Sequence, residues 1–218
     1  MNIRAFLGGS FDPIHQAHIQ MAMCVWQTLH THYGKQDDKI SVSLLPTAGN
    51  PFKGNPTSHQ HRLAMIERAI DGLPLTVETY ELSQTPPVYT IDTACALRQA
   101  YPDDLLIFIV GQDSLASLPK WKDGERLFDL LKFWAFTRLD DTPNAPLNLQ
   151  INEQILAQCT DDLGKFFSSN QAVYLDKTPI NALSSSQIRQ AIKNHNHIPQ
   201  DWLNPAVLAY IHQHQLYQ

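Results

Sequence analysis

Gly8-Gly9-Ser10-Phe11-Asp12-Pro13-Ile14-His15-Gln16-Ala17-His18 follows an apolar run, Ile3 to Leu7, of the length of a short buried strand. It precedes Ile19, Ala22, Met23, Trp26 and Leu29, which recur at helical spacing. A strand, a glycine turn and a helix start therefore meet at one corner. Gly8 and Gly9 permit positive φ and close approach of a ligand to the backbone, while the next helix turns N–H groups without intrahelical partners toward the same spot. Such a corner holds an anion without a formal charge, which makes it a phosphate site in outline. It contains neither GxGxxG nor GxxxxGK(S/T), so it is a different device from the common dinucleotide and P-loop fingerprints.

His15 and His18 stand three apart. A helix beginning near Pro13 or Ile14 sends both side chains from neighbouring points of its first turn. Imidazole donates a hydrogen bond when neutral and adds positive charge when protonated, so either form can stabilise charge growing on a leaving group. Two other readings compete: histidines that merely cap the helix or face solvent, and a zinc site. Zinc is better signalled by i,i+4 spacing with a carboxylate or thiolate nearby, and the glycine turn in front favours the anion. The pairs His59 with His61, His195 with His197 and His212 with His214 lie in polar surroundings and read as surface residues.

Outward from this corner, short strand candidates alternate with helical patterns, which predicts an α/β fold with a parallel sheet and helices on its faces. Ile40 to Leu45 give a second strand, and the Pro, Gly and Asn cluster from Pro46 to Pro56 gives a loop at its carboxyl end. Such loops form the ligand crevice of open α/β sheets, so Lys53 is a candidate anion contact, with a solvated lysine as the alternative. Thr57 with Gln60 fits a capping box for a helix whose face is Leu63, Ile66 and Ile70 and which ends at Gly72 and Pro74. A strand at Leu75 to Val77, a Pro86-Pro87 loop and a helix from about Ile91 to Tyr101 follow. Leu105 to Val110 form the most apolar strand, closed by Gly111-Gln112-Asp113-Ser114. Asp113 there can accept from ribose hydroxyls or cap a helix. Phe133 to Phe136 and Ala172 to Leu175 are further strands, separated by a polar loop from about Asp140 to Asn152.

The bulk numbers narrow the class. With 218 residues, 43% hydrophobic and 17% charged, the chain can bury one core, and a single domain is expected. Its apolar runs fall short of the roughly 18 residues of a membrane span, and no basic-then-apolar leader precedes the first strand, so a cytoplasmic setting is expected. A net charge of -5 argues against a nucleic-acid partner, which needs a concentrated basic face. Cys24, Cys95 and Cys159 are odd in number and lack CxxC spacing, and read as buried free thiols.

A second corner follows Val173 to Leu175. Ser184 and Gln187 fit a capping box, but Arg189 sits near the positive end of the same helix, where a cation is mildly unfavourable unless an anion is bound. Ser185, Ser186, free helix N–H groups and one guanidinium make a cradle for phosphate oxygens. Two such corners suit a polyphosphate gripped from both sides, as positioning for phosphoryl or nucleotidyl transfer requires.

Gly8 to Pro13 with His15 and His18 resembles the GG(S/T)FDPxHxGH motif of nucleotidyltransferases, and Ser184 to Arg189 resembles their (S/A)-(S/T)-x-x-R motif. Pro87-Val88-Tyr89-Thr90, Gly111-Gln112-Asp113-Ser114, Leu118-Pro119-Lys120-Trp121 and Tyr210 to Tyr217 resemble the bacterial nicotinate-nucleotide adenylyltransferases in particular. The resemblance implies a Rossmann-like open parallel sheet over residues 1–218, with about 180–218 forming a helical subregion that carries the second motif. It implies adenylyl transfer from ATP to nicotinate mononucleotide, with magnesium on the triphosphate, no metal-ligating side chains and no covalent enzyme intermediate. Gly8, Gly9, Ser10 and Phe11 would hold phosphates, with Lys53 as a further contact. His15, His18 and Arg189 would stabilise the transition state, and Ser185, Ser186 and Arg189 would grip ATP. Asp113 would lie by the ATP ribose, Trp121 would stack on the pyridine ring, and Thr90 would meet the nicotinate carboxylate through its backbone. Ala17 departs from the motif's glycine, and Phe52 stands where the family often has histidine. The alternatives are another phosphate acceptor, nicotinamide mononucleotide or phosphopantetheine, and a non-catalytic nucleotide-sensing module.

Overall fold

Residues 2–33, 39–49, 56–136 and 153–218 are described by the computed structural model. Lys53, Phe52 and the polar segment from Asp140 to Asn152 lie outside the described residues. In chain order the strands are β1 (Ile3–Gly9), β2 (Ile40–Pro46), β3 (Thr76–Val77), β4 (Leu105–Gly111), β5 (Lys132–Phe136), β6 (Cys159–Thr160) and β7 (Val173–Asp176). The helices are α1 (Gln16–Tyr33), α2 (His59–Ile70), α3 (Thr90–Ala100), α4 (Gln112–Ser117), α5 (Leu127–Leu130), α6 (Glu153–Leu156), α7 (Leu163–Ser168), α8 (Ser185–Lys193) and α9 (Pro205–Gln213).

The strands make one parallel sheet in the order β3-β2-β1-β4-β5-β7-β6. From β1 the chain winds outward through β2 and β3, then crosses back to lay β4 against the other side of β1. That reversal is the switch point of an open α/β sheet, and a crevice opens there beyond the carboxyl ends of the two strands. Both strands are buried on both faces, which is why they read as continuous apolar runs. Ala5, Leu7, Ile107 and Ile109 pack with α1, α2, α8 and α9, whereas Phe6, Leu106, Phe108 and Val110 pack with α3, α4 and α5.

Several helix boundaries differ from the expected ones. α1 starts at Gln16 rather than at Pro13 or Ile14. The His15 carbonyl accepts the first helical bonds, from His18 N at 3.0 Å and Ile19 N at 3.4 Å. Its buried face is Ala17, Ala22, Val25 and Leu29. The cap of α2 is Ser58, accepting from His61 N at 3.5 Å, rather than Thr57. Its buried stripe, Arg62, Met65, Ile66, Ala69 and Ile70, is rotated from the expected one and includes a cation. Gly72 takes the left-handed conformation after α2 with φ 73°, as a helix stop requires. Cys95 is exposed and Cys24 and Cys159 are half-buried, so the expectation of three buried thiols fails. No helix among the described residues is long and apolar enough to cross a membrane.

Candidate active site

Beyond β1 and β4 lies a cleft of about 1040 Å³. Its walls include Gly8, Gly9, Ser10, Phe11, His15 and His18 from the first corner and Gly111 and Asp113 from the end of β4. Thr90, Trp121, Ser185, Ser186 and Arg189 complete them. The two corners anticipated from opposite ends of the sequence thus face one space.

At the first corner, Gly8 and Gly9 are the last residues of β1, paired with Leu45 and Pro46, instead of a turn after a strand that ends at Leu7; neither uses the positive φ that glycine permits, and the left-handed residue is Phe11, with φ 49°. The glycines serve by lacking side chains. A Cβ at Gly8 would meet nothing within 4 Å, and one at Gly9 would press on the Phe11 ring at 3.1 Å. Phe11 is buried and meets the His18 ring edge-on at 4.9 Å. His15 precedes the helix instead of sharing its first turn with His18, yet the two rings stack at 3.7 Å. The His15 backbone N–H donates to His18 Nδ1 at 3.3 Å, so in the neutral ring the His18 proton is on Nε2. Burial lowers the His15 pKa from 6.5 to about 4, and its Nδ1 is buried without a hydrogen-bond partner among the described residues. His15 is therefore neutral at pH 7.

The second corner is tied directly to the first. Ser184 caps α8 in a full capping box with Gln187. Ser185 Oγ donates to the Pro13 carbonyl at 2.9 Å, and Arg189 Nη1 donates to the Asp12 carbonyl at 2.6 Å. A hydroxyl has one proton to give, so Ser185 acts here as a tie between corners. Arg189 Nη2 donates to Ser186 Oγ at 3.2 Å, which orients the guanidinium and leaves the Ser186 proton for another acceptor.

At the other end of the cleft, Trp121 Nε1 donates to Ser117 Oγ at 3.0 Å, which fixes the half-buried indole. Lys122 lies over the Tyr89 ring at 4.6 Å and pairs with Asp92 at 3.3 Å. Thr90 opens α3, whose first turn has no side-chain cap, so its leading N–H groups are available to an anion. Asp113 is exposed in the first turn of α4; the cap position is Gly111, so the capping alternative for Asp113 does not hold. Buried Glu81 accepts from Thr93 Oγ1 at 2.8 Å, and burial raises its pKa.

Three contributors escaped the sequence. Asp12, 8% exposed, accepts at Oδ1 from Tyr217 Oη (2.7 Å) and at Oδ2 from Thr57 N (3.1 Å). Arg62, 1% exposed, donates from Nη1 to the Ser10 carbonyl at 2.7 Å and from Nε to the Thr57 carbonyl at 2.8 Å. Its signal was present: an arginine three and four positions before Met65 and Ile66 lies on the apolar stripe, and a buried cation needs partners. Tyr217 stood out only as the end of the Tyr210 to Tyr217 segment, and nothing local in the sequence says what its hydroxyl touches. The histidine pairs were also misread in part, since His61 Nδ1 and Tyr210 Oη are 2.9 Å apart and the His61 and His214 rings lie 5.2 Å apart.

A parallel sheet with a nucleotide-sized cleft at its switch point, two helix-start anion corners and a stacked imidazole pair define a nucleotidyltransferase. The cytidylyltransferase-like family model matches residues 6–191. A probable nicotinate-nucleotide adenylyltransferase of Idiomarina loihiensis is 32% identical over 219 residues, covering 99% of both chains. One from Pseudoalteromonas atlantica is 34% identical over 223 residues, covering 100% of this chain and 97% of its own. The fold also matches that of Plasmodium falciparum nicotinic acid mononucleotide adenylyltransferase complexed with NaAD. That match has a TM-score of 0.72 at 21% identity and covers 100% of this chain and 98% of that one. The chain belongs to the cytidylyltransferase-like family and, within it, to the nicotinate-nucleotide adenylyltransferases.

Proposed function

We propose that this chain transfers the adenylyl group of ATP to nicotinate mononucleotide, forming deamido-NAD and releasing pyrophosphate. The observation that carries the proposal is the convergence of the imidazole corner and the Arg189 corner on one cleft. A phosphate oxygen of the mononucleotide attacks the α-phosphorus of ATP, and the bond to the bridging oxygen breaks, its electron pair leaving with pyrophosphate. The nucleophile belongs to the substrate, so the chain acts by positioning and charge stabilisation. Gly8, Gly9, Ser10 and Phe11 leave room for the phosphates at the backbone. The ring of His15, neutral at pH 7, and the ring of His18 donate to phosphate oxygens as charge develops, and Arg189 and Ser186 meet the chain from the other side. Asp113 accepts from ribose hydroxyls. Trp121 stacks on the pyridine ring, and the start of α3 at Thr90 receives the nicotinate carboxylate.

Magnesium, when bound with ATP, neutralises part of the triphosphate charge. It takes oxygen ligands and is commonly held through substrate phosphates. The cleft is compatible with that mode: of its carboxylates, Asp12 accepts from Tyr217 and Thr57, Glu81 accepts from Thr93, and Asp113 is assigned to the ribose. Drawing on ATP, the reaction is proposed to run in the cytoplasm.

Pyrophosphate release from ATP tests the function, with nicotinate and nicotinamide mononucleotides as co-substrates. Faster turnover with the acid is expected; equal or faster turnover with the amide would overturn the substrate assignment.

A further inference from the structure

The mechanism leaves unused a hydroxyl that lies outside the cleft and touches its most constrained residue. Asp12 is a junction of four chain segments. Its own loop carries the phosphate glycines and His15. Its Oδ2 receives Thr57 N, its carbonyl receives Arg189 Nη1, and its Oδ1 receives the hydroxyl of Tyr217, 205 residues away in sequence. Tyr217 lies in the turn after α9, with φ 67°, a left-handed conformation that a bulky side chain adopts only when its surroundings hold it there. The ring packs against the core and the hydroxyl is 4.0 Å from Met65 Sδ. Burial and the Asp12 carboxylate raise the Tyr217 pKa, so the phenol remains a donor across the working pH range.

We propose that Tyr217 is a positioning residue for adenylyl transfer: its hydroxyl fixes the Asp12 carboxylate, and through it the relative placement of the imidazole corner and Arg189. The geometry separates this from general support of the fold. With the Tyr217 bond made, the Asp12 carboxylate holds Thr57 N from its other oxygen while the same residue's carbonyl holds Arg189. Without that bond, one oxygen of a nearly buried carboxylate loses its donor, and the side chain turns to recover one. The loop carbonyls of Asp12 and Pro13 then move relative to α8. Substrate binding, spread over the whole cleft, depends little on such a shift. A transition state held between two corners depends on it strongly, since small misplacements are costly there.

The proposal rests on the adenylyl-transfer reading, and the experiment keeps the two apart. Tyr217→Phe retains the ring and removes the hydroxyl. Tyr210→Phe serves as control: it removes another hydroxyl after the same second motif, the one beside His61, without touching the loop. Turnover is measured for parent and variants well below their melting temperatures. Roughly a tenfold loss of kcat is expected for Tyr217→Phe, an order-of-magnitude figure for a displaced catalytic corner, with KM for both substrates within about twofold of the parent. Tyr210→Phe should keep the parent kcat. Hydrogen exchange of the 10–16 segment should rise in Tyr217→Phe alone, a readout that needs only the folded fraction. Parental kcat in folded Tyr217→Phe, or equal kcat losses in both variants, would overturn the positioning role. An inactive parent would instead count against adenylyl transfer itself.

Discussion

His15 combines deep burial with a place in the wall of the cleft, and its proton balance follows from the burial. The unfolded chain holds a proton on this imidazole up to pH 6.5, the folded chain only below about 4. Between those values the unfolded state binds more protons, so stability falls as pH drops through the window, by up to about 1.4 kcal/mol per unit. The slope of melting temperature between pH 6.5 and 4.5 should therefore be shallower in His15→Gln than in the parent; equal slopes would dismiss the burial account. A bound triphosphate favours the charged ring, so the His15 titration followed by NMR should move up on ATP addition. His18 is half-buried and touches the loop through Nδ1. His18→Ala should lose about a hundredfold to a thousandfold in kcat, as other preorganised donors do, with little change in melting temperature.

At the scale of elements, the short turns around Trp121 are held by close backbone approach. A Cβ at Gly124 would lie 2.2 Å from the Leu118 carbonyl oxygen, which cannot yield without moving the turn Leu118–Lys120 that leads into Trp121. Gly124→Ala should lower stability by about 1–3 kcal/mol, the range for overpacking. It should also raise KM for the mononucleotide more than KM for ATP, as read by steady-state kinetics; parallel changes would separate this turn from the acceptor end. The same scale shows what was legible beforehand. β1, β4 and β5 were readable because strands buried on both faces are uninterrupted apolar runs. The α8 capping box was readable because Ser184 and Gln187 satisfy each other locally. The cap of α2 slipped by one residue because Thr57 and Ser58 are both able caps, and what distinguishes them is distant: the Thr57 N–H goes to Asp12. Gly8 and Gly9 read as a turn but end β1 in register with Leu45 and Pro46, and the left-handed residue is Phe11, held by packing that no local pattern encodes. The shared cleft followed from the motifs, whereas the ties at Asp12, Ser185 and Tyr217 join residues 172 to 205 positions apart and carry no periodic signature.

For the whole molecule, Arg62 is the internal counter-charge. It lies behind the Ser10 to Pro13 loop, its pKa lowered by burial and raised in part by the Asp12 carboxylate. Removing the guanidinium leaves the Ser10 and Thr57 carbonyls without a buried donor and the nearby Asp12 carboxylate without its counter-charge, typically at about 3–5 kcal/mol for a buried charge that loses its partner. Arg62→Met should therefore lower the melting temperature by about 10 °C in a chain of this size; a shift under about 2 °C would mean that the guanidinium is dispensable to the fold. The same long-range ties have a consequence for the order of events in folding. Contacts between segments so far apart close late, because the entropy of drawing them together must be met before they stabilise anything. During synthesis the glycine corner and the central strands emerge well ahead of Ser185, Arg189 and Tyr217. A nascent chain halted before α8 can thus lay down much of its sheet while its nucleotide cleft still lacks a wall, and competence for chemistry arrives only after the last helices dock.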